Sequence, residues 1–183
     1  MPRQVFHFER PTRFVAGTVG QPGDRTFYLQ ASDEAGRVVS VALEKSQVQV
    51  LAERMSELLD EVATRAATVV PPDADVDDLD PLTAPVDEEF RVAAMGLAWD
   101  GDAEAVVVEA VAASEEPIDE DAILSDSDEG PDALRVTITP GAARSFIARA
   151  RRVVAACRPA CPLCSMPLDP AGHVCPRQNG YRR

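Results

Sequence analysis

The chain has 183 residues and 19.7 kDa, enough for one domain of ordinary size with a small appendage. A hydrophobic fraction of 45% supports a packed core, and with aromatics at only 5% that core must be built mainly from Val, Ala and Leu. The formal charge of −13 is unevenly spread: residues 71–132 carry 1 basic and 21 acidic side chains, whereas residues 133–183 carry 9 basic and 1 acidic. That distribution excludes a uniformly basic nucleic-acid binder but leaves a basic C-terminal patch open. No run of about 18 apolar residues is present, so no membrane-spanning helix is expected. The polar start Met1-Pro2-Arg3-Gln4 does not read as a secretory signal, and the expected location is the cytoplasm.

From residue 13 the pattern reads strand, turn, strand, turn, strand, helix. Arg13 to Gln21 is extended and stops at Gln21-Pro22-Gly23-Asp24, where Pro then Gly suits a type II turn. Arg25 to Ala31 alternates, Ser32-Asp33-Glu34-Ala35-Gly36 turns, and Val38 to Leu43 gives a third strand. His7, between Phe6 and Phe8, is expected to point outward from a strand. Ser46 with Gln49 is a capping-box signature for a helix that places Val48, Leu51, Met55, Leu58, Leu59 and Val62 on one face.

The second half repeats the order. Phe90 to Trp99 reads as a strand, Asp100-Gly101 as a tight hairpin turn and Ala103 to Ala113 as its partner. The apolar run Val106-Val107-Val108 implies cover on both faces. Leu134, Val136 and Ile138 form a third strand, and Thr139-Pro140 starts a helix with Ala143, Phe146, Ile147, Ala150, Val153 and Val154 on one face. The predicted fold is therefore α+β: an antiparallel-rich sheet from two ββ-β-α units, two helices on one face, and a C-terminal zinc ribbon. The organisation expected is an α+β domain over 1–156, with a duplication of 13–68 in 90–156, and a ribbon with a basic tail over 157–183. Pro-rich, acidic stretches 69–89 and 114–132 repel themselves and are expected as exposed loops or partly disordered segments.

The C-terminus carries Cys157, Cys161, Cys164, His173 and Cys175, all within nineteen positions. Cys161 and Cys164 have the C-x2-C spacing of a metal knuckle, in which a tight turn aims two thiolates at one ion. His173 and Cys175 supply a second pair, so Cys161, Cys164, His173 and Cys175 make a Cys3His set that closes the shell of one structural Zn²⁺. A C-x2-C redox pair beside an incidental His is the competing reading. Cys157 is spare; it either ends the helix as a small residue or replaces Cys161 in a wider C-x6-C arrangement.

Arg144, Arg149, Arg151, Arg152 and Arg158 on and after the second helix, with Arg177, Asn179, Tyr181, Arg182 and Arg183 in the tail, form a candidate binding patch. Arg forks pair with phosphates and a Tyr face stacks on bases. The competing reading is a solvated helix face, or pairing with the protein's own acidic loops, which the net charge favours. The glycines around Gly17, Gly20 and Gly23 lack the Gly-Lys-Ser/Thr ending of a phosphate loop and fit hairpin turns instead. Asp126-Ser-Asp128-Glu-Gly130 lacks EF-hand ligands where they are needed. No Ser-His-Asp or Cys-His nucleophile set is visible, so no catalytic residue is assigned.

Several strings, among them Arg13-Phe-Val-Ala-Gly-Thr-Val-Gly-Gln-Pro-Gly, Arg25-Thr-Phe-Tyr-Leu-Gln-Ala31 and Val41-Ala-Leu-Glu-Lys45, resemble an actinobacterial family, domain of unknown function 3090. So do Phe90-Arg-Val, Met95-Gly-Leu, and the ending from Cys161-Pro-Leu-Cys to Asn179-Gly-Tyr-Arg-Arg183. The resemblance implies an actinobacterial cytosolic protein with the Cys161, Cys164, His173, Cys175 pattern, Cys157 lying outside it. It brings no established activity. The expected function is a non-enzymatic, zinc-containing binding or adaptor protein. Its expected partner is another protein, with nucleic acid at the Arg-rich C-terminus as the second choice and no membrane. The alternative is an enzyme or nucleotide-handling domain with its site in the sheet cleft, or a structural subunit whose acidic loops order on a partner.

Overall fold

The computed structural model describes residues 3–21, 24–65, 70, 71, 77–114, 123–125 and 129–156, with Cys161, Leu163, Cys164, Leu168, Cys175 and Arg177 beyond them. Along the described chain run β1 (Val5–Glu9), β2 (Arg13–Gln21), β3 (Asp24–Ser32), β4 (Val38–Leu43), α1 (Lys45–Arg65), β5 (Glu88–Asp100), β6 (Ala105–Ala112), β7 (Ala133–Ile138) and α2 (Pro140–Ala155). The fold is α+β. All the strands join one mixed sheet in the order β1-β7-β6-β5-β4-β3-β2. The β1–β7 and β4–β5 pairings are parallel and the other four antiparallel.

Strands β1 and β2 stand at opposite ends of that order, yet only residues 10–12 join them. Four Cα steps reach at most about 14 Å, whereas six flat strand spacings cover about 29 Å. The sheet must therefore curl enough to bring the end of β1 and the start of β2 within that reach. At the corner Arg10 N donates to Thr137 O on one edge at 2.8 Å, and Thr12 Oγ1 to Ser32 O on the other at 2.9 Å. Arg37, from the β3–β4 turn, donates to His7 O and lies 4.0 Å over the Phe8 ring. β5 makes the same transition within one strand: Glu88 and Arg91 pair with β4, and Val92 to Asp100 pair with β6. β2-β3-β4-α1 and β5-β6-β7-α2 thus repeat one order of elements.

Alternation divides each strand between two faces. The helix-bearing face carries Phe14, Leu29, Val41, Val108 and Val136, which pack with Val48, Met55 and Leu59 of α1 and Phe146 and Ile147 of α2. Phe14 and Phe146 stack with ring centroids 4.9 Å apart. Thr139 caps α2, accepting from Ala142 N at 3.2 Å, with Pro140 opening the helix. The cap of α1 falls earlier than the Ser46–Gln49 pair expected from sequence. Gln47 Oε1 accepts from Glu44 N at 2.7 Å, because the helix already begins at Lys45. The Asp100-Gly101 turn is also longer than a two-residue hairpin: residues 101–104 turn, Asp100 Oδ1 accepts from Asp102 N and Ala103 N, and Glu104 takes positive φ.

The opposite face mixes buried apolar residues such as Val15, Ala42 and Val111 with buried Gln30, Ser40, Glu109 and Arg135, and connecting segments lie over it. Buried Gln30 grips Thr83 by both backbone groups, donating to its O at 3.0 Å and accepting from its N at 2.8 Å. Leu82 lies directly over Gly17, where a Cβ would fall 2.6 Å from the leucine side chain. Ile123 and Leu124 take the matching place over Gly96. Fully buried Glu109 receives Arg3 and Arg135, each at 2.5 Å. Those arginines also donate to Pro131 O at 3.1 Å and Ser125 O at 2.5 Å. The described part of the first acidic connection, residues 77–87, is a mostly exposed loop, as expected. It is also pinned to the sheet, because its carboxylate and carbonyl groups find arginine and amide donors there.

Gly17→Ala is expected to cost about 1–3 kcal/mol by overpacking against Leu82, and Leu82→Ala in the same chain should recover part of the loss. Urea unfolding of the two single variants and the double variant measures this, and strictly additive losses would refute the contact. Glu109→Ala leaves two buried guanidinium groups without their shared carboxylate and should cost about 3–5 kcal/mol. A loss below about 1 kcal/mol, the range of exposed pairs, would show that Glu109 is not a buried hub.

Candidate functional site

Helix α2 ends in its C-cap Ala156, and Cys161 follows five residues later. Cys161, Cys164 and Cys175 converge there, with sulfur atoms all within 4.8 Å of one another. Cys161 and Cys175 are buried and Cys164 half-buried. The Cys161 and Cys175 Sγ atoms are 3.8 Å apart, almost twice a disulfide bond of about 2.05 Å. Backbone N–H groups of Leu163 and Cys164 point at the Cys161 sulfur. They lower its thiol to about 6 against the opposing effect of burial, with smaller help from the Cys164 and Cys175 side chains. The C-x2-C turn thus favours the thiolate, the form in which sulfur binds metal. Three cysteines so placed can hold a metal ion. His173, the remaining member of the expected set, lies outside the described residues, as does Cys157.

Of the candidate basic patch, Arg144, Arg151 and Arg152 lie on α2 among the described residues. Arg144 pairs with Asp60 at 2.7 Å and donates to Pro71 O at 3.2 Å. Arg152 pairs with Asp77 at 2.7 Å. Arg151 is exposed beside a groove between the helices lined by Gln49, Ala52, Glu53, Val154 and Ala155. Arg177 is exposed. Arg158, Asn179, Tyr181, Arg182 and Arg183 lie outside the described residues.

Sequence reading missed a second charged cluster. Asp78 lies between Arg13 of β2, whose Nε is 2.6 Å away, and Arg149 of α2, whose Nη1 is 2.7 Å away. Arg149 is buried at the edge of the helix's apolar stripe, and its Nε donates to Ala16 O at 2.8 Å. The hydrogen bond from Arg13 holds the Asp78 carboxyl below its ordinary range. The charges of Arg149 and Arg13 act in the same direction and burial acts against them. The readable signal was Arg149 itself, three residues after Phe146 and next to Ala150, where a helix facing only water has no apolar neighbours.

The family model described as "Protein of unknown function (DUF3090)" matches residues 6–175, so the chain belongs to that family. Among curated proteins and among solved structures, none matches. No helix of the described residues is long and apolar enough to cross a membrane.

A carboxylate whose pKa is lower folded than unfolded stabilises the fold above its unfolded value of about 3.9, and that contribution is lost as pH falls through the folded value. Wild type should therefore exceed Asp78→Asn in melting temperature at pH 7, with the difference shrinking as pH drops below about 4. Thermal melts across this range test it, and a pH-independent difference would refute an ionised Asp78 as the source.

Proposed function

We propose that this member of the DUF3090 family is a non-enzymatic, zinc-containing binding protein of the cytoplasm, and that its partner is another protein. The observation that carries the reading is the convergence of three thiol sulfurs. Tetrahedral zinc with bonds of about 2.3 Å to sulfur sets neighbouring sulfurs about 3.8 Å apart, and Cys161 and Cys175 stand at 3.8 Å. His173, two residues before Cys175, is the proposed fourth ligand. Four protein ligands leave no position for water or substrate, so the zinc is structural rather than catalytic. Its binding would contribute on the order of 10 kcal/mol to ordering a segment with few apolar residues. Reduced thiols agree with a cytoplasmic setting. A protein partner is favoured over nucleic acid because Arg144, Arg149 and Arg152 are already engaged by the chain's own carboxylates.

Native mass spectra should show one zinc per chain, removed by a strong chelator. Cys164→Ser and His173→Ala should each lose the metal at chelator concentrations that the wild type withstands. Metal-free protein after expression in zinc-supplemented medium would remove the site. Crosslinked capture of a protein partner should survive nuclease and fail for Cys164→Ser. Retention of nucleic acid at about 50 mM salt, lost when residues 176–183 are deleted, would instead give the C-terminus a nucleic-acid role.

A further inference from the structure

The acidic stretch Asp77–Pro81 is fastened to β2 and α2 by arginines rather than by apolar contacts. Arg13 Nε and Nη2 hold the two carboxylate oxygens of Asp78 at 2.6 and 2.9 Å, and Arg149 Nη1 adds a third bond at 2.7 Å. The same side chains read the backbone of the stretch. Arg13 donates to Pro81 O at 3.0 Å and Asp80 O at 2.8 Å, and Arg149 to Asp78 O at 2.9 Å and Asp80 O at 2.7 Å. Ala16 O fixes the Arg149 guanidinium from the sheet side. Leu79, in the middle of the stretch, is 69% exposed, so its side chain contributes little to the hold. Arg152 engages Asp77 at the rim, where 68% of the carboxylate side chain stays in water. Immediately downstream the chain is anchored separately, by Leu82 over Gly17 and Thr83 on Gln30. Asp77–Pro81 thus has its own set of polar holds, distinct from the anchors at Leu82 and Thr83.

We propose that Arg13 and Arg149 form a binding site for an acidic peptide segment of a partner protein, and that Asp77–Pro81 is a tethered occupant which that segment displaces. The proposal rests on the protein-partner reading above and gives that partner its chemistry. The present occupant defines the ligand: one carboxylate in a two-arginine clamp, with backbone carbonyls on either side. A nucleic acid offers phosphates to such a clamp but not carbonyls at peptide spacing. A tethered occupant has an effective concentration of about millimolar, so a free peptide competes poorly until the tether is weakened.

The probe is a fluorescein-labelled peptide Val-Asp-Asp-Leu-Asp-Pro-Leu, copied from residues 76–82, titrated by anisotropy against the full chain. Asp78→Ala should bind it about tenfold more tightly than wild type, and the gain should vanish in about 0.5 M NaCl or when Arg13→Gln is added. Equal affinity for wild type and folded Asp78→Ala would overturn the proposal. So would an oligonucleotide of matched charge binding Asp78→Ala as tightly as the peptide does. If circular dichroism shows Asp78→Ala unfolded, Asp77→Ala, which loosens the stretch only at its rim, should still bind about twofold more tightly than wild type, and no gain would overturn the proposal. Cys164-dependent capture of a partner without peptide binding would sink this site alone, whereas peptide binding without such capture would sink the role of the cysteine cluster.

Discussion

The short corner at residues 10–12 is the constraint on which the other contacts depend. Joining the two ends of a seven-strand order through three residues requires curling, and curling determines which groups meet. Phe14 of β2 reaches α2, which follows β7, only because the far edge of the sheet has been brought round. Arg149 meets Arg13 and Ala16 for the same reason, although 133 residues separate Arg149 from Ala16 in the chain. In a flat sheet α2 would lie over β6 and β7, and the clamp that holds Asp78 would not exist.

Curling leaves a second face to be covered, and the covering segments carry most of the protein's negative charge. Residues 69–89 and 114–132 hold 8 and 9 carboxylates and no basic side chain, so these segments repel one another rather than covering the face by mutual association. The sheet instead supplies donors to that face at fixed points, Gln30 to Thr83 and Arg135 to Ser125 O, while Arg13 of β2 and Arg149 of α2 hold Asp78 between the strand and the helix. Apolar contact does the finer placement, through glycines at 17 and 96 that leave room for Leu82 and for Ile123 with Leu124. Charge selects the face and the glycines set the position.

The strands and helices were legible because each carries its own period, and Thr139-Pro140 announced the start of α2 in two residues. The parallel β4–β5 and β1–β7 pairings were not legible, since register between distant strands leaves no local mark. The α1 cap was misplaced because Glu44–Gln47 and Ser46–Gln49 both satisfy the same spacing rule, and only the helix start at Lys45 decides between them. Cys161 and Cys164 of the cysteine cluster were readable because C-x2-C spacing is itself a geometric statement, Cys175 joins them, and His173 lies outside the described residues. Glu109 and Asp78 were hidden for opposite reasons. Glu109 sits inside an apolar strand with no sign that Arg3 and Arg135 would reach it. Asp78 sits among many similar acids, and nothing local distinguishes it.

Helix α2 connects the two charged features of the molecule. One side carries Arg149 and Arg152, which hold the acidic stretch, and its C-terminal end leads within five residues of Ala156 into Cys161. The helix is itself fixed from both sides, by Phe146 on Phe14 and by Arg144 on Asp60 of α1. A metal at the cysteines would therefore tether its segment to a helix already locked onto the core, and would not need to order the domain. Within the cluster, the C-x2-C spacing places Cys164 close to Cys161. Cys175, with the proposed ligand His173 two residues before it, then has to be brought in from along the chain, and joining that pair to the C-x2-C turn is the step in which metal binding would do its work.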